Sequence, residues 1–239
     1  MQFFAMQRSG HHAILVDYIL THLYDQIVYH WNECYVLGDL IVASRIVKYT
    51  YGERQDMTYR RTDHQYTDDG IICSHPIEPN AVLLLNFEDC PLQVSQQLPP
   101  SHRVLVIRDP YNQTASRIRN GKRSMRPWRW KQHAREYLGR TKILGPHINI
   151  SFNRWHQKSN FNIMPDYGGR SAFEPAIMDG RASELDVLNR WQKRMHHGKF
   201  RRIVNDDELG GLAEEIFGWR VTKDLKIKCN ESSLPVVFV

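Results

Sequence analysis

At 239 residues, 41% hydrophobic and 24% charged, the chain has the make-up of an ordinary globular protein and the length for one α/β domain with a sizeable core. Its formal charge of +6 and pI near 9.2 suit an anionic ligand or polymer, without choosing between a nucleotide, a sulfated glycan and nucleic acid. No apolar run approaches the roughly 18–20 residues of a membrane span. The chain enters a strand pattern almost at once, so no signal peptide is expected. Cys34, Cys73, Cys90 and Cys229 form no CxxC pair and no metal-ligand rhythm, which reads as four free thiols in a cytoplasmic setting.

In chain order, Phe3 to Met6 form an apolar strand that stops at Gln7-Arg8-Ser9-Gly10-His11-His12 and runs on into a helix. Ile19, Leu23 and Ile27, widened by Leu15, Val16 and Leu20, mark that helix's apolar face. A short strand at Ile27 to Tyr29 follows. Residues 52–70 are polar and read as a surface excursion that fits no core element. Ala81 to Phe87 is apolar but for Asn86, as in a strand buried on both faces of a parallel sheet. Val104 to Ile107 form a further strand, ending at Arg108-Asp109-Pro110 and another helix start. Pro127 to Gly139 carries Pro and Gly where helix ends prefer them. Ile148 to Phe152 alternates as a strand, residues 153–183 are loop-rich, and helices are expected at Ser183–His197 and Asp206–Phe217, the latter followed by Gly218. Strands alternating with helices predict a single α/β domain over residues 1–239, a three-layer sandwich around a mostly parallel sheet.

Two strand ends that each open a helix from a cationic turn are suited to holding two separate phosphates. In the first turn Gly10 lets the backbone approach a ligand, and the amides of residues 10–13 point outward. Ser9, His11 and His12 add side-chain donors. No GxxxxGK[ST] run occurs, which argues against ATP hydrolysis. In the second turn Arg108 can grip a phosphate bidentately, with Ser116 eight residues further on. Arg117, Arg119, Lys122 and Arg123 read as a solvated run of charge.

These two segments resemble the motifs of sulfotransferases that use 3′-phosphoadenosine 5′-phosphosulfate (PAPS). The first motif is a strand, Pro or Gln, Lys or Arg, then Ser-Gly and two small polar residues opening a helix. The second is a strand ending in Arg-Asp/Asn-Pro with a Ser eight residues after the Arg. His11-His12 stand where Thr-Thr is more usual, and Arg8 where Lys is commoner. The resemblance is strong over the two motifs and loose over residues 1–150. Its implications are a P-loop NTPase-like sulfotransferase fold and PAPS as co-substrate, held by Gln7, Arg8, Ser9, Gly10, His11, His12, Arg108 and Ser116. Arg8 would stabilise the leaving oxygen, and no metal would be needed. The late Arg-Lys-Gly loop of many members is missing, which favours a divergent bacterial or carbohydrate-type enzyme and an acceptor hydroxyl or amine on a carbohydrate or small metabolite.

Transfer also needs a base near the first turn. Glu88, at the end of the strand Ala81 to Phe87, projects toward a cleft at the sheet edge and is placed ahead of His75, whose Ser74-His75-Pro76 faintly resembles the Thr-His of cytosolic sulfotransferases. No His/Asp/Glu group shows metal-ligand spacing. Two other readings stand beside this one. A P-loop kinase-like phosphotransferase lacks its Walker lysine. A basic nucleic-acid-binding protein would rest on the net charge and the aromatics of residues 126–131, with no recognised motif.

Overall fold

The computed structural model describes residues 1–37, 40–51, 53–57, 64–67, 70–73, 78–122, 125–158 and 191–229. Strand β1 (Gln2–Ala5) is wholly buried and pairs in parallel with β9 (Val82–Glu88) on one side and β10 (Arg103–Ile107) on the other. Beyond β10 lies β11 (Ile148–Ser151), and beyond β9 lies β2 (Ile27–Asn32), both also parallel. Two antiparallel strands, β5 (Arg45–Thr50) and β6 (Glu53–Met57), extend the sheet past β2 to seven strands. Smaller two-stranded pairs are β3 (Tyr35–Leu37) with β4 (Leu40–Val42), β7 (His64–Thr67) with β8 (Gly70–Cys73), and β12 (Trp219–Val221) with β13 (Ile227–Cys229).

Side chains alternate across a strand, and this sheet uses both faces. Phe3, Ala5, Val28, Leu84, Val104 and Val106 pack with Ile14, Leu15 and Ile19 of α1 (His11–His22). Phe4, Tyr29, Trp31, Leu85, Phe87 and Leu105 point the other way, onto Leu92, Leu98 and Leu144. At the strand ends, Met6 and Ile107 join a cluster built on Tyr111 of α2 (Pro110–Arg119), Trp130 of α3 (Pro127–Tyr137), Phe200 of α5 (Gly198–Val204) and Leu212 of α6 (Asp207–Phe217). The remaining α-helix among the described residues, α4 (Phe152–Lys158), follows β11 directly. The architecture is α/β, with a mostly parallel sheet flanked by helices, and no helix among the described residues is long and apolar enough to cross a membrane.

Helix ends follow their sequence signals. Asp109 caps α2 by accepting from the Asn112 amide, with Pro110 in the first turn, and Asp206 caps α6 with Gly218 left-handed at its far end. Trp128 is 50% exposed and Trp130 fully buried, as two residues on different faces of one helix should be. Two expectations need correction. The polar stretch 52–70 contains β6, an edge strand of the main sheet, because charged and polar residues such as the exposed Glu53 and Gln55 suit a strand at a sheet edge. The helix expected at Ser183–His197 is, over its described part, a 3-10 turn at Gln192–Arg194, and α5 begins only at Gly198. The loop-rich stretch 153–183 opens within α4, and residues 159–190 lie outside the described residues.

From β1 the chain travels toward β2, whereas from β10 it travels toward β11, in the opposite direction across the sheet. Where neighbouring parallel strands send their connections apart, a crevice opens at their C-terminal ends. The two sequence motifs lie at this point.

His133 illustrates the cost of packing beside that crevice. It is buried on α3, with Nδ1 held at 3.0 Å from the Arg129 carbonyl, and burial pushes its pKa down from 6.5 to about 4. As pH falls the unfolded chain takes up this proton first. The stability is therefore complete above pH 6.5 and is lost as pH drops to about 4. That loss amounts to about 3 kcal/mol. Urea titrations at several pH values should show a shallower acid slope for His133→Leu than for the parent chain, and equal slopes would contradict this assignment.

Candidate functional site

The turn after β1 is fixed by its backbone. The Gln7 amide donates to Asp89 Oδ1 at 3.0 Å, and the Gln7 carbonyl accepts from Gln113 Nε2 at 3.0 Å and Arg117 Nη1 at 3.4 Å. Arg117 also clasps Asp89 bidentately, at 3.0 and 2.9 Å, and the Asp89 amide donates to the Ala5 carbonyl. The ends of β1 and β9 and the body of α2 are thus tied at one residue. Arg117 is only 4% exposed, so it does not belong to the solvated run of charge expected of it, whereas Arg119 is exposed. The physical reason is its spacing: on α2, positions 113 and 117 lie four apart, on one face, and that face is turned to the Gln7 turn.

Beyond this clasp, Arg8 takes a left-handed backbone with φ of 68°. Asp89 and Glu33 do the same, at 53° and 51°, each just past the end of its strand. Such conformations cost a bulky residue roughly 1–3 kcal/mol, and Tyr51, Asn80 and Leu225 adopt them as well, away from this turn. Burial pushes the Arg8 pKa down, against which stands the charge of Glu88. Gly10 then caps α1 at φ of 84°. A methyl group at Gly10 would lie 2.1 Å from the Phe152 ring, so its open side is filled by α4, and ligand approach is left to the end of α1. Among the described residues the amides of Gly10, His11 and His12 have no acceptor, as expected of a first helical turn.

The side chains of this turn divide. Ser9 and His11 are each 1% exposed, because His11 shares the buried face of Ile14 and Leu15. Ser9 Oγ lies 3.0 Å from His11 Nδ1, and His11 Nε2 lies 2.8 Å from Glu88 Oε1. His12 Nε2 reaches the same oxygen at 2.9 Å while its side chain stays 44% exposed. Burial alone would raise the Glu88 pKa, but the two imidazoles, His11 foremost, outweigh it and hold the carboxyl far below its usual range. Glu88 is therefore ionised, with its Oε1 shared by both imidazoles. Under it on the same sheet face lie Asn86, whose Nδ2 donates to Asn32 Oδ1 at 2.7 Å, and His30, pushed well below its ordinary pKa by burial.

At the second turn, Arg108 is 2% exposed, its guanidinium 4.7 Å from the Phe152 ring centroid. Its Nη1 donates to the Arg8 carbonyl at 3.2 Å, so the two motif turns touch. Asp109 is completely buried. Burial pushes its pKa up, against which stand Arg108 and hydrogen bonds from the Asn112 amide, Asn112 Nδ2 and Asn153 Nδ2. Ser116, 3% exposed, lies two turns into α2.

The fold thus gathers Gln7, Arg8, Ser9, Gly10, His11, His12, Glu88 and Arg108 at one edge of the sheet. His75 lies outside the described residues. Three corrections concern roles. Ser9 and His11 turn inward and leave His12 and the helix amides as the outward donors. Gly10 faces Phe152 and not a ligand. Glu88 stands at its strand end in the cleft as its position predicts, but as the acceptor for two imidazoles and not as a lone carboxylate. Sequence spacing missed Asp89, Gln113, Asn153 and His30. For His30 and Asn86 a signal was present, since each is a polar residue inside an apolar strand on the face that also carries Asn32 and Glu88. No family model, curated protein or solved structure matches this chain.

The clasp on Gln7 can be tested alone. Arg117→Met keeps most of the buried stem but removes both contacts to Asp89, which is 29% exposed at its side chain. Chemical denaturation should show a loss of about 2 kcal/mol, and an unchanged midpoint would show that the clasp does not stabilise the turn.

Proposed function

We propose that this chain is a PAPS-dependent sulfotransferase with a P-loop-type sulfotransferase fold. It would move the sulfuryl group of PAPS to a hydroxyl or amine of a carbohydrate or small metabolite. The observation that carries this reading is the contact between the two motif turns, with Arg108 Nη1 3.2 Å from the Arg8 carbonyl. Phe3 pairs with Val104 and Ala5 with Val106, so both cationic turns leave the sheet at the same level, beside the crevice. A ligand with two separated phosphates is the one that needs two such turns side by side.

In this reading the 5′-phosphosulfate sits on the amides of Gly10, His11 and His12, where the α1 dipole favours negative charge. The 3′-phosphate goes to the second turn, with Arg108 and Ser116 as its floor; Arg108 exchanges its hold on the Arg8 carbonyl for a phosphate oxygen. The acceptor oxygen attacks sulfur in line, the bond between sulfur and the bridging phosphate oxygen breaks, and adenosine 3′,5′-bisphosphate leaves with that electron pair. Arg8 faces the charge that gathers on the bridging oxygen. A well-placed donor contributes roughly 3–4 kcal/mol there. The acceptor's proton passes to the group formed by Glu88 and its two imidazoles, of which His12 is the solvent-facing member.

Titration calorimetry with adenosine 3′,5′-bisphosphate tests the reading. Binding is expected, with weaker binding of ATP, which lacks the 3′-phosphate. Arg8→Ala and Arg108→Ala should each weaken the bisphosphate at least about 10-fold, the value of one charge-assisted hydrogen bond. Melting curves would confirm that the variants are folded. No binding at millimolar nucleotide rejects the proposal, and equal affinity for ATP would favour a phosphotransferase instead.

A further inference from the structure

His11 and His12 are neighbours in the chain, and Glu88 lies 77 and 76 residues away from them. The fold nonetheless brings His11 Nε2, His12 Nε2 and a Glu88 carboxylate oxygen within 4.8 Å of one another. We propose that these three atoms form a site for one divalent transition-metal ion, of which Zn2+ is the representative. The inference does not depend on the sulfuryl-transfer reading, and at these three atoms it is an alternative to the proton-accepting role given there, since an imidazole nitrogen bound to a metal cannot also take a proton.

Four features carry it. The first is the donor set. Two imidazoles and one carboxylate with a position left open is a common way to bind zinc for work on a ligand, and nitrogen donors disfavour magnesium and calcium. The second is geometry. Two of the donor separations are 2.8 and 2.9 Å, set by hydrogen bonds to one oxygen. Tetrahedral coordination with bonds of about 2.0–2.1 Å needs donors about 3.4 Å apart. The pairs must open by only about half an ångström, within the reach of side-chain rotation.

The third feature is the support behind the donors. A ligating imidazole commonly donates its other ring nitrogen to a fixed acceptor. Ser9 Oγ, 3.0 Å from His11 Nδ1 and 1% exposed, is placed for this. When the metal takes Nε2, the proton moves to Nδ1 and the serine hydroxyl accepts it. Asn86 Nδ2 lies 3.4 Å from the Glu88 oxygen that both imidazoles share. The fourth is His30, 3% exposed on β2, with its ring centroid 5.9 Å from that of His12. Its buried Nε2 has no partner among the described residues. A buried donor or acceptor left unmade costs about 1–3 kcal/mol, and water on the metal's open position would supply the partner.

The site also has an approach. His11 and Glu88 have buried side chains, but His12 is 44% exposed at its side chain, so an ion can enter past His12. With a single carboxylate the bound ion keeps a net positive charge, and its remaining ligand would be an anionic oxygen or a water.

The test uses the full chain, stripped with chelator and free of nucleotide. Zn2+ should bind at one ion per chain by calorimetry and elemental analysis. Co2+ in its place should give the intense visible bands of four-coordinate cobalt, and Mg2+ should not bind. His12→Ala alters a half-exposed side chain and should leave melting behaviour near native, yet weaken Zn2+ at least about 100-fold, since even supporting residues cost roughly 10–100-fold. Glu88→Gln should do the same, and His30→Phe should shift the cobalt bands with a smaller loss. If stripped protein takes up no Zn2+, or if folded His12→Ala binds Zn2+ as the parent does, the proposal is overturned. Because no nucleotide is present, a negative result here leaves the bisphosphate titration to stand or fall separately.

Discussion

The registered parallel pairing of β1 between β9 and β10 is the constraint on which the other features rest. Ala5 lies level with Glu88 on one side and with Val106 on the other. Three chain segments that are distant in sequence therefore end at one height. The residues just past them, Arg8, Asp89 and Arg108, share one edge of the sheet. A slip of one residue would reverse every side chain on β1, exchanging Phe3 and Ala5 for Phe4, and would bring α1 down on the wrong face. The contact between the two arginine turns, the clasp of Asp89 on Gln7 and the meeting of Glu88 with His11 all presuppose this register.

A consequence is that one face of the sheet changes character along its strands. Toward the N-terminal ends, Val28, Leu84 and Phe3 pack on α1 as an apolar core. Toward the C-terminal ends, the same face carries His30, Asn32, Asn86 and Glu88. Burying a carboxylate costs several kcal/mol unless donors meet it. Here two imidazoles do so, and Ser9 in turn holds one of them. A stable core alone does not call for such residues; apolar side chains of similar volume would fill the space more cheaply. These polar residues lie beside the left-handed backbones of Arg8 and Asp89, at the sheet edge that carries the candidate site.

Much of this was legible in the sequence. Apolar runs interrupted by Gln7-Arg8-Ser9-Gly10 and by Arg108-Asp109-Pro110 announced β1, β10 and the two helices after them, because strand burial and helix capping are local. Other features were not legible, for identifiable reasons. The polar run 52–70 hid β6, since an edge strand need not alternate. Arg117 looked like one cation in a solvated run, and only tertiary packing shows that its partner is Asp89. The metal-donor group combines adjacent histidines with a carboxylate brought by strand pairing, and no spacing rule reaches across that distance. Ser9 and Gly10 were correctly placed in the turn, but Ser9 turns inward to His11 and the open side of Gly10 is filled by Phe152, a residue far along the chain.

The central claim is that the edge formed by β1 and β10 is a cradle for a doubly phosphorylated adenosine. The most direct measurement is a crystal structure of the chain with adenosine 3′,5′-bisphosphate. The account predicts the 5′-phosphate on the amides of Gly10 to His12 and the 3′-phosphate at Arg108 and Ser116. A nucleotide bound elsewhere, or an Arg108 guanidinium still held on the Arg8 carbonyl with no phosphate beside it, would contradict it.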